Sequence, residues 1–423
     1  MPNAPLIVLV DWFDGGHNAT HLAQFSRAIR ELGAEPCIIC RSATAEQLKH
    51  ISTGGTPNET LRIYRVDWPN FYSIRPRLRK VMVLARIPGA ILAAERDHGR
   101  RASLIFLSCI FEEQASDIIG IITLLNRAYS GLYLHPRQFH PAVARAPDEV
   151  KPLYKLLMHS RFPALATMNE DVGDKISKQL EKPVIVFPEI TNEEHRTDHP
   201  LKRRLRRFAG PNPLVLLAGY MGPWKGAPLL ARVSLMPEAA DLCFAFVGIL
   251  PIETFSADNK KILEQCMNHS PSSLFHLGRV PDGECYNALV DAANVVFCAF
   301  EDFQFSSNTQ TKAAIFERPV IVSEGHLMAE RVRDYRLGEI IPQSDPIAAL
   351  AAIRRITNNY SQWVRENQPR WKEYREAHSY QALKIAFKKL LVATAVLPTS
   401  CLSSSELCLP CIQQDQNLFE SRG

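Results

Sequence analysis

Gly219-Tyr220-Met221-Gly222-Pro223-Trp224-Lys225-Gly226 stands directly after an apolar run, residues 214–218, and directly before an amphipathic pattern, residues 229–235. An apolar run of that length, a glycine-bearing loop and a helical period read as strand, loop and helix. Working outward, the same alternation continues: strands at 243–247, 274–277, 295–300 and 319–323, helices at 284–292 and 309–316, and a further helical pattern at 345–355. Strands that alternate with helices build a parallel sheet covered on both faces. The N-terminal half has the same rhythm. Residues 6–10 form a strand, 11–18 a loop containing Gly15 and Gly16, and Leu22, Phe25, Ile29 and Leu32 a helical stripe that stops at Gly33. Strand-like runs follow at 37–40, 103–109, 132–135, 164–167 and 183–187. The fold class expected is therefore α/β, with two doubly wound domains and a cleft between them. The first spans 1–187 and the second 213–359, with a proline-rich, basic linker at 188–212. The segment 360–392 reads as helical, and 393–423 as a disordered tail.

Composition sets the outer limits. A chain of 423 residues, 46% hydrophobic and 22% charged, has the length of two or three domains and the apolar content to fill two cores. The N-terminus lacks a basic n-region and a small-residue cleavage site, so a cytoplasmic location is expected. The longest apolar stretch, 81–94, is interrupted by Arg86 and Pro88 and is too short to span a bilayer. The ten cysteines include two close pairs, Cys37/Cys40 and Cys408/Cys411, neither at zinc-ribbon spacing from a second pair. Cys37 and Cys40 lie three apart in a strand and so face opposite sides, as buried thiols would. Neither H-E-x-x-H nor G-x-S-x-G occurs, which disfavours metal-dependent and serine hydrolysis. No nucleic-acid partner and no metal site are expected.

In a doubly wound domain ligands lie outside the carboxyl ends of the strands. Three segments there are unusual: two loops of the second domain, and 132–140 at the end of a strand of the first, where the histidine beside Pro136 has a plain loop hydrogen-bonder as its alternative. In 219–226, glycines let the backbone approach a ligand, and Lys225 adds a cation where a helix N-terminus already favours an anion; the plain alternative is a tight turn with a solvated lysine. In Phe303-Gln304-Phe305-Ser306-Ser307-Asn308, the last three residues are helix caps, and the free amides of the following turn suit a diphosphate. Ordinary capping is the alternative for that loop. Glu112 and Glu113 follow another strand and offer a general base, or merely surface carboxylates.

These segments resemble a known family. Gly219…Lys225-Gly226, Phe246-Val247-Gly248, His276-Leu277-Gly278-Arg279-Val280, Ala313-Ala314 and Arg318-Pro319-Val320-Ile321-Val322-Ser323 are similar to the C-terminal domain of retaining GT-B glycosyltransferases of the group 1, family 4 type. Gly15-Gly16 and Ala166-Thr167-Met168-Asn169-Glu170 resemble the N-terminal domain of that family. The resemblance covers about 6–390, with specific motifs only in 214–323. It implies two Rossmann-like domains facing a cleft, with 360–392 crossing back to the first domain and Trp363 and Trp371 anchoring both. It implies transfer of a sugar from a nucleotide-diphosphate sugar to a glycan, lipid-linked or small-molecule acceptor, with retention, without a metal or other cofactor, in glycan or polysaccharide biosynthesis. Gly16, Gly219, Tyr220, Lys225, Ser306, Ser307, Asn308 and Lys312 would bind the donor, and His135 and Gln304 would act at the sugar. Arg137 and His140 are second choices for His135. The family's E-x7-E glutamates align with Gln304 and Lys312, and its phosphate-binding arginine with Tyr220. Gln304 can still hydrogen-bond a sugar hydroxyl, and Lys312 can reach a phosphate in place of the ribose. Two alternatives follow from those replacements and the shared fold: a catalytically silent nucleotide-sugar- or partner-binding protein, and a sugar-nucleotide epimerase.

Charge is unevenly placed. Arg75, Arg77, Arg79 and Lys80 precede the apolar run 81–94, and Lys202, Arg203, Arg204, Arg206 and Arg207 form a second cluster. The first suggests peripheral contact with an anionic membrane at its inner face. Its alternative is a solvated face beside a buried helix, with Pro88 breaking any long amphipathic helix.

Overall fold

The computed structural model describes residues 4–12, 18–49, 51, 61–67, 76–134, 136 and 147–403. The chain divides into two compact units, Met1–Pro188 with Ser379–Gly423, and Glu189–His378.

The first unit is built on seven parallel strands: β1 (Leu6–Asp11), β2 (Glu35–Cys40), β3 (Ile63–Arg65), β4 (Leu104–Ile110), β5 (Tyr129–Tyr133), β6 (Leu165–Thr167) and β7 (Val184–Val186). Their order is β3-β2-β1-β4-β5-β6-β7. Every residue of β1 and β4 is buried, as a strand covered on both faces requires. The helix Asn18–Glu31 buries Leu22, Phe25 and Ile29 on one stripe and gives way at Gly33, whose φ of 83° is the left-handed conformation that ends a helix.

The C-terminal segment is not one helix. It breaks into Tyr360–Asn367, Trp371–Ala377 and Tyr380–Ala393. Gln368 stops the first in the left-handed region, ahead of Pro369, and Ser379 caps the third by accepting from the Ala382 amide. The third helix belongs to the first unit, burying Leu383, Ala386, Phe387, Leu390 and Leu391 on one face. Phe387 closes a cluster of fully buried rings with centroid distances of 5.0 Å to Phe25, 5.3 Å to Phe106 and 4.7 Å to Phe187. Trp363 and Trp371, expected to anchor both domains, lie in the core of the second unit. That expectation is corrected: the crossing occurs at His378/Ser379, after both tryptophans have been buried.

The second unit contains β8 (Leu214–Tyr220), β9 (Cys243–Ile249), β10 (Ser273–Leu277), β11 (Val295–Cys298), β12 (Val320–Ser323) and β13 (Gly338–Ile341), all parallel, in the order β10-β9-β8-β11-β12-β13. Its first and last residues are tied together, because the Glu189 amide donates to His378 Nδ1 at 3.1 Å. Burial, and then Arg331, hold the His378 imidazole down to about 2, so it remains a neutral acceptor.

The stretch 188–212, read as a linker, contains the helix Pro200–Ala209. Its cations have local partners: Lys202 pairs with Asp291, Arg206 donates to Asn294 Oδ1 at 2.8 Å, and Arg203 donates to the Asp198 carbonyl. Leu205 and Ala209 are buried against the same core. Among the described residues, no helix is long and apolar enough to cross a membrane.

Candidate functional site

The strand order of the second unit reverses between β8 and β11, which are hydrogen-bonded neighbours. The crevice outside the carboxyl ends at such a reversal is where open α/β sheets bind ligands. The two loops selected from sequence leave these two strands, 221–226 from β8 and 299–307 from β11.

Glycine is required in the first loop. Gly226 has φ 74°, and a Cβ there would stand 2.4 Å from the Ala299 carbonyl oxygen of the second loop. The closeness of the two backbones explains how Lys225 meets the β11 loop. Its ammonium lies 3.8 Å from the Phe300 ring centroid and 4.1 Å from that of Phe303. Two π faces attract the cation but do not neutralise it. Among the described residues no carboxylate pairs with it, and burial pushes the ammonium down to about 8. Gly226→Ala is expected to cost about 1–3 kcal/mol by forcing a left-handed residue against backbone. It should also displace Lys225; a thermal unfolding midpoint equal to that of the native protein would show that the loops yield freely.

Behind the second loop, the helix Asn308–Ile315 begins at Ser307, whose side chain makes no capping hydrogen bond. Its first-turn amides therefore retain the partial positive charge of an uncapped N-terminus. Ser306 is held from below by Arg331, whose guanidinium donates to the Ser306 hydroxyl at 2.5 Å. Gln304 is buried, and its Oε1 has no hydrogen-bond partner among the described residues. Tyr286 bonds its hydroxyl to Thr309 at 2.9 Å and also fills the space beside Gly219, whose φ is 103°.

Several residues expected at the ligand turn elsewhere. Asn308 accepts from the Thr191 hydroxyl at 2.9 Å and donates to the Ile190 carbonyl at 2.9 Å, fastening the helix to the start of the unit. Lys312, expected to reach a phosphate, points into the protein and is fully buried. Its three protons are directed at the Asn192 carbonyl at 3.1 Å, Asn287 Oδ1 at 2.7 Å and Asp282 at 2.9 Å. No donor remains for a ligand, so its expected phosphate contact is corrected to a structural one. Tyr220 is exposed and lies 6.0 Å from the Trp224 ring. With Ile249 and Leu277, also exposed, these rings place apolar surface at the carboxyl ends of β8, β9 and β10. Gly15, Gly16, His135, Arg137 and His140 lie outside the described residues. Glu112 accepts from the Tyr133 hydroxyl at 3.1 Å in the first unit, and the Glu113 side chain is outside the described set.

Arg331, Tyr286 and Thr309 escaped the sequence reading. Tyr286 and Arg331 sit on buried stripes among Leu289 and Val290, and Leu327, Met328 and Val332, where a polar tip is the only available signal. Cys37 and Cys40 are both buried and unbridged, and burial raises the Cys37 thiol to about 12.

No protein-family model matches the chain, and no curated protein matches it significantly. Solved structures do. A sucrose-phosphate synthase from Thermosynechococcus elongatus superposes with a TM-score of 0.68 at 17% identity, over 93% of this chain and 99% of the other. A glycosyltransferase from Rickettsia africae gives 0.67 at 12% identity, over 94% and 100%. The chain has the GT-B fold. The Anabaena protein HepE, solved with UDP and glucose, gives 0.67 at 13% identity over 92% and 100% of the chains. A UDP-N-acetylglucosamine 2-epimerase from Listeria monocytogenes, described as putative, gives 0.60 at 12% identity over 93% and 96%. GT-B proteins of different chemistry are thus comparably similar, and at these identities the likeness is one of fold.

Proposed function

We propose that the chain is a metal-independent glycosyltransferase that binds a nucleotide-diphosphate sugar on its second unit and passes the sugar to an acceptor. The observation that carries this reading is Lys225, a cation with no carboxylate in ion-pair contact among the described residues, held against Phe300 and Phe303 where the sheet order reverses. A diphosphate supplies the missing counter-charge, and Lys225 with the uncapped turn after Ser307 stabilises the negative charge that develops as the sugar departs. Gln304 Oε1 accepts from a sugar hydroxyl, which removes the cost of a buried acceptor left unpaired. The exposed Tyr220 and Trp224 rings offer faces on which a base can stack. HepE is solved with UDP-glucose in one crystal and UDP in another, which makes uridine nucleotides the first donors to test.

A second reading rests on Lys312. The position that aligns with a ribose-binding glutamate is sealed inside the unit, which favours a protein that binds nucleotide sugar without turning it over.

Lys225→Ala is expected to weaken UDP binding by about 1.5–3 kcal/mol, roughly tenfold to 150-fold. Affinity should also fall as pH rises from 7 to 9. With the ammonium at about 8, roughly nine-tenths of it is charged at the lower pH and one-tenth at the higher. Titration calorimetry with UDP across that range tests both, and a folded Lys225→Ala protein of unchanged affinity would overturn the site. Incubation with a panel of nucleotide sugars separates the activities: free nucleoside diphosphate marks transfer, a new sugar isomer marks epimerisation, and binding without either marks the silent protein.

A further inference from the structure

The helix Pro76–Asp97 of the first unit runs through Pro88 without a break for 22 residues, so the expected interruption at that proline does not occur. One face carries Val83, Ile87, Ile91 and Ala94 into the core. The opposite face is apolar too. Leu78, Val81 and Leu92 are 56%, 63% and 49% exposed, and Ala85 and Gly89, at intervening positions on the same stripe, are exposed as well. Spacings of three and four residues align these five along one side of the helix. Nothing among the described residues covers them.

Charge decides what does. Between Asp67 and Glu95 the sequence holds Arg75, Arg77, Arg79, Lys80 and Arg86 and no acid. Glu95, the first carboxylate beyond, is turned inward, accepting from Arg127 at 2.7 Å and from the Ala102 amide at 2.8 Å. Arg86 is exposed beside the stripe. An isologous dimer would bring this unbalanced cationic segment against its own copy, which is unfavourable. A surface both apolar and anionic suits it: fatty chains for the stripe and phosphate headgroups for the cations.

We propose that the outer face of this helix lies in the headgroup layer of an anionic bilayer, as a monotopic contact that holds the first unit on the membrane surface. The contact is independent of the transfer reaction and of Lys225.

Sedimentation of the full-length chain with phosphatidylcholine vesicles, with and without phosphatidylglycerol, at low and high salt tests it. The native protein should pellet with anionic vesicles at low salt and be released at high salt. Arg79→Gln with Arg86→Gln should weaken partitioning about fivefold per cation removed, and Val81→Ser with Leu92→Ser about tenfold or more. The second pair replaces exposed residues, and unfolding curves establish that all variants remain folded. Equal recovery in the supernatant with both vesicle types overturns the proposal, as does pelleting that neither pair changes. Concentration-dependent self-association abolished by Val81→Ser with Leu92→Ser, without vesicle binding, would assign the stripe to a second copy and overturn it equally.

Discussion

Lys312→Ala should lower the unfolding free energy by about 3 kcal/mol, the lower end of what breaking a buried ion pair costs, because Asp282 retains some exposure. The lost ammonium leaves the Asn192 carbonyl, Asn287 Oδ1 and Asp282 converging on an empty centre. Lys312→Glu, which writes the glutamate of the resembled family back into the sequence, should be worse. It sets a carboxylate against a carbonyl, an amide oxygen and another carboxylate. Pairing that substitution with Asp282→Lys should recover part of the loss, and the double-mutant cycle measures the coupling, of order 0.5–3 kcal/mol for residues in contact. Denaturant unfolding gives these values. A Lys312→Ala midpoint equal to that of the native protein would mean that the ammonium is not buried. In a folded Lys312→Met protein UDP affinity should be unchanged, since the side chain has no proton to spare for a ligand; a large loss would return Lys312 to the binding site.

Phe387→Ala should cost about 3–5 kcal/mol, the range for truncating a buried phenylalanine. The ring touches three others that come from widely separated stretches: Phe25 on the first long helix, Phe106 in β4 and Phe187 just after β7. Each is fully buried, so the cavity has no flexible surface side chain to fill it. Removal of the chain from Ser379 onward would take away Leu383, Ala386, Leu390 and Leu391 as well and should leave a protein that aggregates or fails to fold. Truncation after residue 403 keeps that helix whole and should leave the unfolding midpoint near its native value. A Phe387→Ala protein within about 0.5 kcal/mol of the native stability would show that the helix is peripheral to the first unit.

Much of this architecture is legible in one sequence. The long apolar strands and the glycines of 219–226 announce themselves, because strand runs and loop composition are local properties. The edge strands β3 and β13 do not, since Ile63–Arg65 and Gly338–Ile341 are short and half-buried and show no apolar run. The helix Ala257–His269 buries only Leu263 and Cys266, too few to make a period. The helix Pro200–Ala209 was hidden by its charge: five of its ten residues are basic, and only Leu205 and Ala209 are buried.

The sequence by itself determined the α/β class, the two successive series of parallel strands and most of their buried strands. These depend on periodicity and on glycine, which act over a few residues. Only the tertiary structure decided what each polar side chain of the second unit faces. Lys225 stands just before one helix of the second unit and Lys312 within another. One has two aromatic rings and, among the described residues, no carboxylate in ion-pair contact, while the other is enclosed by Asn192, Asp282 and Asn287. The difference comes from partners supplied by distant stretches of chain, and neither the local pattern nor the residue type carries that information.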